Sequence, residues 1–179
     1  MNEFQPPVLI PADAIAHRVD ELARRISHDH QGVENLLLVG VLRGSYMFLA
    51  DLSRRLTVPC SVDFLALSQY DRGSVPSGSV RLTLDLRVDI KGRHVVLVED
   101  IVNSGCTLGY LVKIFELREP ASLKTCVLVR KRGHEHIAVR LDYVGFEIPD
   151  RWVVGYGLDY DNKYRNCPYI GVVHAPDPD

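Results

Sequence analysis

Residues 95–108 have the sequence VVLVEDIVNSGCTL, the most informative run of the chain for its architecture. The apolar segment from Val95 to Val98 has no polar interruption, which is typical of a strand buried on both faces in a parallel sheet. Glu99 and Asp100 then fall at the carboxyl end of that strand, where open α/β sheets bind ligands. We therefore predict an α/β fold with a functional site at this point.

A loop of small residues, 103–107, follows the two acids and leads into a helix. Apolar residues recur at helical spacing from Leu108 to Phe115, so we expect the helix to begin near Thr107. A strand, a loop and a helix N-terminus in this order direct backbone N–H groups at one point, and Ser104 and Thr107 add hydroxyls. This pattern predicts an anion cradle. Two carboxylates beside it would repel a bare phosphate, so the expected ligand also carries sugar hydroxyls or a bound Mg²⁺.

Composition bounds the class of protein. The 179 residues include 21 Lys and Arg against 23 Asp and Glu, a net charge of −2, and suffice for one domain with a sizeable core. The chain lacks the basic excess of a nucleic-acid binder and any apolar run of about 20 residues. Met1 to Phe4 do not resemble a secretory signal. We expect a cytoplasmic protein with no nucleic-acid or membrane partner, in which Cys60 and Cys126 are buried free thiols.

The rest of the chain alternates predicted strands and helices. Asp13 is expected to cap a first helix that buries one apolar face, and a second helix is expected from Ser45 to about Leu56. Residues 1–10 are expected to be extended or loose, and residues 175–179 to form a frayed tail. Further apolar runs predict strands at 35–41, 62–68, 80–86, 123–129, 142–148 and 169–174.

Three polar segments remain open on the residues alone. Arg43, in the turn before the second helix, fits a solvated surface cation as well as a ligand contact. The Gly- and Ser-rich segment 69–79 is too long for a tight hairpin and is either a lid or a mobile loop. His134 and His136 have no third ligand at useful spacing, which favours solvated histidines over a metal site.

The quoted stretch resembles the phosphoribosyl-pyrophosphate (PRPP) loop of the type I phosphoribosyltransferases. Two later runs, YVGFEIP at 143–149 and VVGYGLDY at 153–160, are similar to the hypoxanthine-guanine branch of that family. The resemblance implies a single domain over 1–179, with a mostly parallel twisted sheet flanked by helices. It also implies a small hood, built from the N-terminal segment and about 131–179, and a flexible lid at about 69–79.

The resemblance assigns roles around PRPP. It implies that Glu99 and Asp100 hold the ribose hydroxyls and that Asp159, with these two acids, contacts Mg²⁺. It also implies a cis peptide bond between Leu42 and Arg43. The residues implied to bind the 5′-phosphate and the pyrophosphate are Ser104, Gly105, Cys106, Thr107, Arg43, Gly44 and Arg165.

Further roles concern the purine and the lid. Lys131 takes the position of the family's purine-recognition lysine, which can donate to a 6-oxo group but cannot accept from the 6-amino group of adenine. Trp152, the only tryptophan, would stack on the purine, and the backbone of Val153 would pair with its edge. On the residues alone, Trp152 is equally well explained as a core aromatic. The lid hinge would comprise Ser68, Gln69 and Tyr70, of which Gln69 departs from the usual family pattern.

The implied reaction is attack by purine N9 on C1′ of PRPP, giving IMP or GMP and pyrophosphate in purine salvage. The family opens its loop with an aspartate that takes the N7 proton, and here that position is Asn103, whose amide cannot act as a base near neutral pH. An active enzyme is our first hypothesis, because the other matching positions are retained. The alternatives are a weakened nucleotide-binding or regulatory protein of the same fold, and an enzyme for another 6-oxopurine such as xanthine. The resemblance further implies a homodimer or homotetramer.

Overall fold

The computed structural model describes residues 5–69, 80–133 and 139–173, and these ranges contain three helices and nine strands. The helices are α1 (Ala12–Asp29), α2 (Tyr46–Arg55) and α3 (Cys106–Glu116). The strands are β1 (Val8–Ile10), β2 (Leu36–Leu42), β3 (Cys60–Gln69), β4 (Val80–Leu84), β5 (His94–Val102), β6 (Ser122–Lys131), β7 (Tyr143–Ile148), β8 (Trp152–Val154) and β9 (Ile170–Val173).

Six strands form the central sheet, in the order β4-β3-β2-β5-β6-β7. Every neighbouring pair is parallel except β3 and β4, so the expected mostly parallel α/β sheet is confirmed. Strand β5 lies in the middle, and its Val98 is opposite Gly40 of β2 and Cys126 of β6. The carboxyl ends of β2, β5 and β6 therefore meet at one edge of the sheet, where ligands bind in such folds.

The alternating side chains of β5 enter two separate hydrophobic cores. Val96 and Val98 face the core that includes Phe48 of α2 and the apolar side of α1. Val95 and Leu97 face the core that includes Leu108 and other apolar residues of α3. Full burial of each such side chain contributes about 1.5–3 kcal/mol. Strand β5 is thus buried on both faces, as the uninterrupted apolar run predicts.

A second sheet of three antiparallel strands, in the order β1-β9-β8, joins the two ends of the chain. Ile10 of β1 is opposite Ile170 of β9, and Val153 of β8 is opposite Val172. Because β9 is central, β8 has one neighbour in this sheet and a free outer edge in the described part of the chain. Trp152 and Val153 lie on that edge strand.

The expectation that Asp13 caps the first helix is wrong. The N-cap of α1 is Pro11, in an extended conformation, and the helix begins at Ala12. Asp13 therefore lies in the first turn, where its carboxylate accepts from the N–H of Ala14 at 2.9 Å. Residues 8–10 form strand β1, which agrees with the extended alternative for this segment, because β9 provides a pairing partner.

The remaining expectations concern the cysteines, the polar segments and the helices. Cys126 is buried as expected, whereas Cys60 is only half-buried, and both are free thiols. The lid segment 70–79, the His134 and His136 pair and the 175–179 tail lie outside the described residues. None of the helices in the described ranges has the length and apolar character needed to cross a bilayer.

Candidate active site

The loop after β5 connects the strand to the N-terminus of α3, which is the strand–loop–helix order that the sequence predicts. Gly105 occupies the N-cap position of α3 with φ +78°, a left-handed conformation that glycine adopts at no steric cost. Having no side chain, Gly105 provides no side-chain cap, so the helix presents N–H groups beyond that of Cys106 to an anion. Ser104 Oγ accepts from the N–H of Cys106 at 3.3 Å. A cavity of about 290 Å³ lies here, lined by Glu99, Ile101, Val102, Asn103, Ser104, Gly105, Cys106, Thr107 and Leu108.

Two carboxylates stand beside this cradle. Glu99 is only 9% exposed, and its Oε2 is buried with no hydrogen-bond partner in the described part of the chain. Burial raises the pKa of Glu99 well above its usual range, and the charge of Asp100 raises it further. Burial also raises the pKa of Asp100 to about 6, although the N–H of Ile101 and the charge of Arg165 lower it. Both acids therefore favour a ligand that offers hydroxyl donors or positive charge.

The turn after β2 packs directly against Asp100. A Cβ atom placed on Gly44 would lie 1.5 Å from Asp100 Oδ2, so only glycine fits there. The peptide bond between Leu42 and Arg43 is cis, as the resemblance implies. Ser45 is buried and donates to the carbonyl of Val41 at 2.6 Å, which closes the turn, while Arg43 is exposed. Gly44 thus belongs to the same site as Glu99 and Asp100 of β5.

Arg165 and Asp159 complete this part of the site from the C-terminal region. Arg165 Nη2 lies 2.7 Å from Asp159 Oδ1, and its Nη1 donates to the carbonyl of Gly157 at 2.7 Å. Both charges act on the pKa of Asp100, which Arg165 lowers and Asp159 raises. Gly44, Arg165 and Asp159, which the sequence assigns to pyrophosphate or metal, therefore lie close to Asp100, and Arg43 directly precedes Gly44 with an exposed side chain.

Lys131 and Trp152 form a second group of candidate site residues. Lys131 ends β6 and is 9% exposed, and its Nζ lies 3.1 Å from Asp150 Oδ1 and 5.8 Å from the centroid of the Trp152 ring. Trp152 is 54% exposed and packs edge-to-face against Tyr160. An exposed indole beside a nearly buried ammonium can stack on a flat ring while the ammonium donates to its polar edge. Trp152 is therefore not a core aromatic.

The sheet register connects the two groups. Val102, the last residue of β5, is opposite Arg130 of β6, so Asn103 and Lys131 follow at the same edge on neighbouring strands. Asn103 is exposed and lines the cavity. It therefore lies between the phosphate cradle and the group around Lys131.

The lid residues are only partly described. Ser68 and Gln69 end β3 in the ladder, opposite Arg81 and Val80 of β4, so Gln69 belongs to the strand and not to the loop. Tyr70 lies outside the described residues.

Sequence reasoning missed two residues of the site. Asp150 balances the charge of Lys131, and the signal was available, because a buried lysine requires a counter-ion. Gly157 was missed because its role is a backbone contact: a Cβ there would lie 2.1 Å from the carbonyl oxygen of Gly44.

Comparison with known proteins places the chain in a family. Residues 11–161 match the model of the phosphoribosyl transferase domain. Hypoxanthine phosphoribosyltransferase of Haemophilus influenzae is 44% identical over 175 residues, which cover 97% of this chain and 98% of that protein. Hypoxanthine-guanine phosphoribosyltransferase of Mycobacterium tuberculosis is 44% identical over 171 residues, which cover 93% of this chain and 85% of that protein.

Solved structures agree with the sequence relatives. A structure of Trypanosoma cruzi hypoxanthine phosphoribosyl transferase, from work on how its C-terminal region affects oligomeric state and activity, has a TM-score of 0.91 and 43% identity, and covers 97% of this chain and 94% of that chain. A second solved structure is the asparagine mutant from an analysis of an invariant aspartic acid in HPRTs. It has a TM-score of 0.90 and 44% identity, and it covers 96% of this chain and 94% of that chain.

The chain belongs to the phosphoribosyltransferase family. Within that family, the relatives described above are hypoxanthine and hypoxanthine-guanine phosphoribosyltransferases. The family resemblance that the PRPP-type loop indicates is thereby confirmed.

Proposed function

We propose that the protein transfers the 5-phosphoribosyl group from PRPP to N9 of hypoxanthine or guanine, giving IMP or GMP and pyrophosphate in purine salvage. One observation carries the proposal. The helix N-terminus after β5, where Gly105 provides no side-chain cap, and the Oε2 atom of Glu99, which has no partner among the described residues, line one cavity. Lys131 and Trp152 lie at the same edge of the sheet, one strand away. This arrangement suits a sugar phosphate next to a flat base.

The roles around PRPP follow from this arrangement. The N–H groups and hydroxyls of residues 104–107 bind the 5′-phosphate, and Glu99 and Asp100 accept hydrogen bonds from the ribose hydroxyls. Their negative field favours the cationic sugar that develops as pyrophosphate leaves. Arg165 and the turn at Arg43 and Gly44 bind pyrophosphate through guanidinium and backbone donors. PRPP would compete with Asp159 for the guanidinium of Arg165.

The base lies between Lys131 and Trp152 in this proposal. The indole stacks on the purine face, and Lys131 donates to the 6-oxo group while Asp150 balances its charge. The outer edge of β8 offers backbone groups at Val153 to the purine edge. Adenine would place a 6-amino donor against an ammonium, so adenine is rejected.

The residues present fit a Mg²⁺ ion. Among the described residues, no three His, Cys, Asp or Glu side chains are grouped as they would be in a metal site built from such side chains alone. Mg²⁺ is usually held by one or two carboxylates, with water and substrate phosphates filling the other positions. Asp159 and the pair Glu99 and Asp100 would supply those carboxylates, and the bound ion would neutralise charge on the departing pyrophosphate.

Asn103 determines how fast the reaction proceeds. It lies beside the cradle at the edge shared with Lys131, where its amide oxygen can accept from purine N7–H. Because the amide does not ionise, the proton must leave to water or to another group, which slows turnover.

The remaining expectations are also part of the proposal. The sheet β1-β9-β8 and the neighbouring loops form the hood of a single domain over 1–179, and the 69–79 segment forms the lid that excludes water from the sugar cation. The protein works in the cytoplasm as a homodimer or homotetramer. The free cysteines among the described residues suit that reducing compartment.

The test is an incubation of the protein with PRPP, Mg²⁺ and hypoxanthine, guanine, xanthine or adenine in turn, with nucleotide and pyrophosphate measured together. We expect both products with hypoxanthine or guanine and neither with adenine. Glu99→Gln should abolish turnover, and the matched control Glu116→Gln, at an exposed position of α3, should not.

Two outcomes would favour the alternatives. Binding of IMP with no turnover of any base would indicate the nucleotide-binding protein, and turnover confined to xanthine would indicate the other 6-oxopurine enzyme. The hypoxanthine-type names of the relatives do not favour either of them.

A further inference from the structure

A tyrosine occupies an unusual backbone conformation next to the site. Gly155, Tyr156 and Gly157 have φ values of +98°, +51° and +100° in succession. Glycine tolerates this region, whereas a side chain there is strained, so its surroundings must stabilise Tyr156. The side chain of Tyr156 is buried, and its hydroxyl donates to Asp51 Oδ2 at 2.7 Å. This hydrogen bond joins the 155–157 turn to helix α2.

The partner of Tyr156 is itself well anchored. The Oδ1 oxygen of Asp51 accepts a hydrogen bond from Arg54 and lies 3.5 Å from Arg55 Nη1. Burial opposes its ionisation, yet the hydrogen bonds from Tyr156 and Arg54 hold the pKa of Asp51 below its usual range. Burial and the carboxylate raise the pKa of the Tyr156 hydroxyl, which therefore remains a donor. Tyr156 is thus tied to a fixed anion on α2.

Helix α2 begins directly after the Gly44 turn, and the 155–157 turn rests on that same turn. A Cβ on Gly157 would lie 2.1 Å from the carbonyl oxygen of Gly44, so the two backbones touch. The carbonyl of Gly157 in turn accepts from Arg165 Nη1 at 2.7 Å. The Tyr156–Asp51 bond therefore lies one residue from the contact that aligns Arg165 with the Gly44 turn.

We infer that Tyr156 and Asp51 form a positioning pair, which holds Arg165 and Asp159 against the Gly44 turn and thereby sets the affinity for PRPP. The inference rests on the proposed function, because it assigns these two segments to the pyrophosphate group. Neither residue of the pair lines the cavity below the 5′-phosphate loop. The pair acts through Arg165, so its loss should affect PRPP binding and leave the purine side unchanged.

The chain offers a matched control for the test. Tyr143 is also buried, and its hydroxyl donates to an aspartate, Asp29 Oδ2, at 2.6 Å. That pair joins α1 to the amino-terminal end of β7, at the edge of the sheet opposite the site. Tyr143→Phe and Tyr156→Phe therefore remove the same kind of bond, and only the second touches the proposed PRPP residues.

The experiment measures the Kd of PRPP with Mg²⁺ by calorimetry, the KM values for PRPP and hypoxanthine, and the melting temperature, for wild type and both variants. Tyr156→Phe should raise the Kd and KM for PRPP about tenfold, because a hydrogen bond to a charged group is lost. Its KM for hypoxanthine should stay within about twofold of wild type. Tyr143→Phe should lower the melting temperature and leave the Kd of PRPP within about twofold.

A second variant tests the bond itself. Asp51→Asn keeps an acceptor for Tyr156, so it should bind PRPP more tightly than Asp51→Ala. Equal effects of Tyr156→Phe and Tyr143→Phe on PRPP binding, or an equal rise of both KM values in Tyr156→Phe, would overturn the inference alone. A wild-type protein that does not bind PRPP would overturn the proposed function, and the inference with it.

Discussion

Asn103 is the residue at which this chain departs most from the reaction that its family suggests. It lines the cavity and lies at the same sheet edge as Lys131, so an acceptor at this position faces the junction of phosphate and base. Aspartate could take a proton there, whereas the amide can only share one. We therefore propose that this one side chain limits catalysis without limiting binding.

Asn103→Asp should raise the turnover of hypoxanthine and guanine by about 10²-fold or more, because general-base help is typically worth 10²–10⁴. Steady-state rates with saturating PRPP provide the measurement. Asn103→Ala serves as the control, since it removes the amide without adding a base, and it should give no gain. An aspartate variant no faster than wild type with either base would show that the proton-transfer account of this position is wrong.

We propose that a second residue, Lys131, determines which purine base the protein accepts. In Lys131→Gln, the amide could accept from a 6-amino group as well as donate to a 6-oxo group, so the preference in kcat/KM for hypoxanthine over adenine should fall about 10- to 100-fold. Lys124→Gln is the matched control, because Lys124 pairs with Asp29 outside the site. An unchanged preference in Lys131→Gln would remove Lys131 from base recognition.

At the scale of elements, the turn between β2 and α2 needs a residue without a side chain. Gly44→Ala would drive a methyl group into Asp100, so we expect PRPP affinity to fall at least about tenfold while the fold remains. Gly92→Ala provides the control: although Gly92 has φ +69°, a Cβ there would meet nothing within 4 Å, so this substitution adds no side-chain clash. Calorimetric titration with PRPP compares the two, and equal affinities would contradict the close packing described for this turn.

The end of α1 should make stability depend on pH. His30 is 2% exposed, and its Nδ1 lies 2.8 Å from the carbonyl oxygen of Ile26. Burial lowers the pKa of His30 below its unfolded value of 6.5, with further lowering by Lys124 and His94, while the Ile26 carbonyl and Asp29 raise it. Because the unfolded chain binds the proton more readily, the stability due to neutral His30 is present above pH 6.5 and is lost as pH falls.

Chemical unfolding at about pH 7.5 and 5.5 measures this effect. We expect His30→Asn, which keeps a donor but does not titrate in this range, to lose less stability on acidification than wild type does. His17→Gln is the control, since the His17 side chain is 74% exposed. The same pH dependence in His30→Asn and wild type would contradict the assignment.

The elements also indicate how far sequence reasoning reaches. Strand β5 and its loop were predictable, because an uninterrupted apolar run ending in two acids has few other solutions in a parallel sheet. Strand β1 was not, since three residues form a strand only where β9, over 150 residues later, provides the partner. The predicted cap of α1 was wrong for a local reason. Pro11 fits the N-cap position, so the helix starts before Asp13 can cap it.

At the scale of the whole molecule, the site draws on segments far apart in the sequence. The resemblance placed Gly44, Asp100 and Arg165 in one binding site, but their mutual geometry depends on contacts that no local pattern encodes, such as Gly157 against the carbonyl of Gly44. The charge balance of Lys131 and Asp150 depends in the same way on the turn that connects β7 to β8. Tertiary structure thus supplies the alignment, while the sequence supplies the chemical groups.

A crystal structure of the complex with IMP tests the central claim most directly. We expect the 5′-phosphate on the backbone N–H groups of residues 104–107, the ribose hydroxyls at Glu99 and Asp100, and the base stacked on Trp152 with its 6-oxo group at Lys131. A phosphate bound anywhere other than the N–H groups of residues 104–107 would contradict the account.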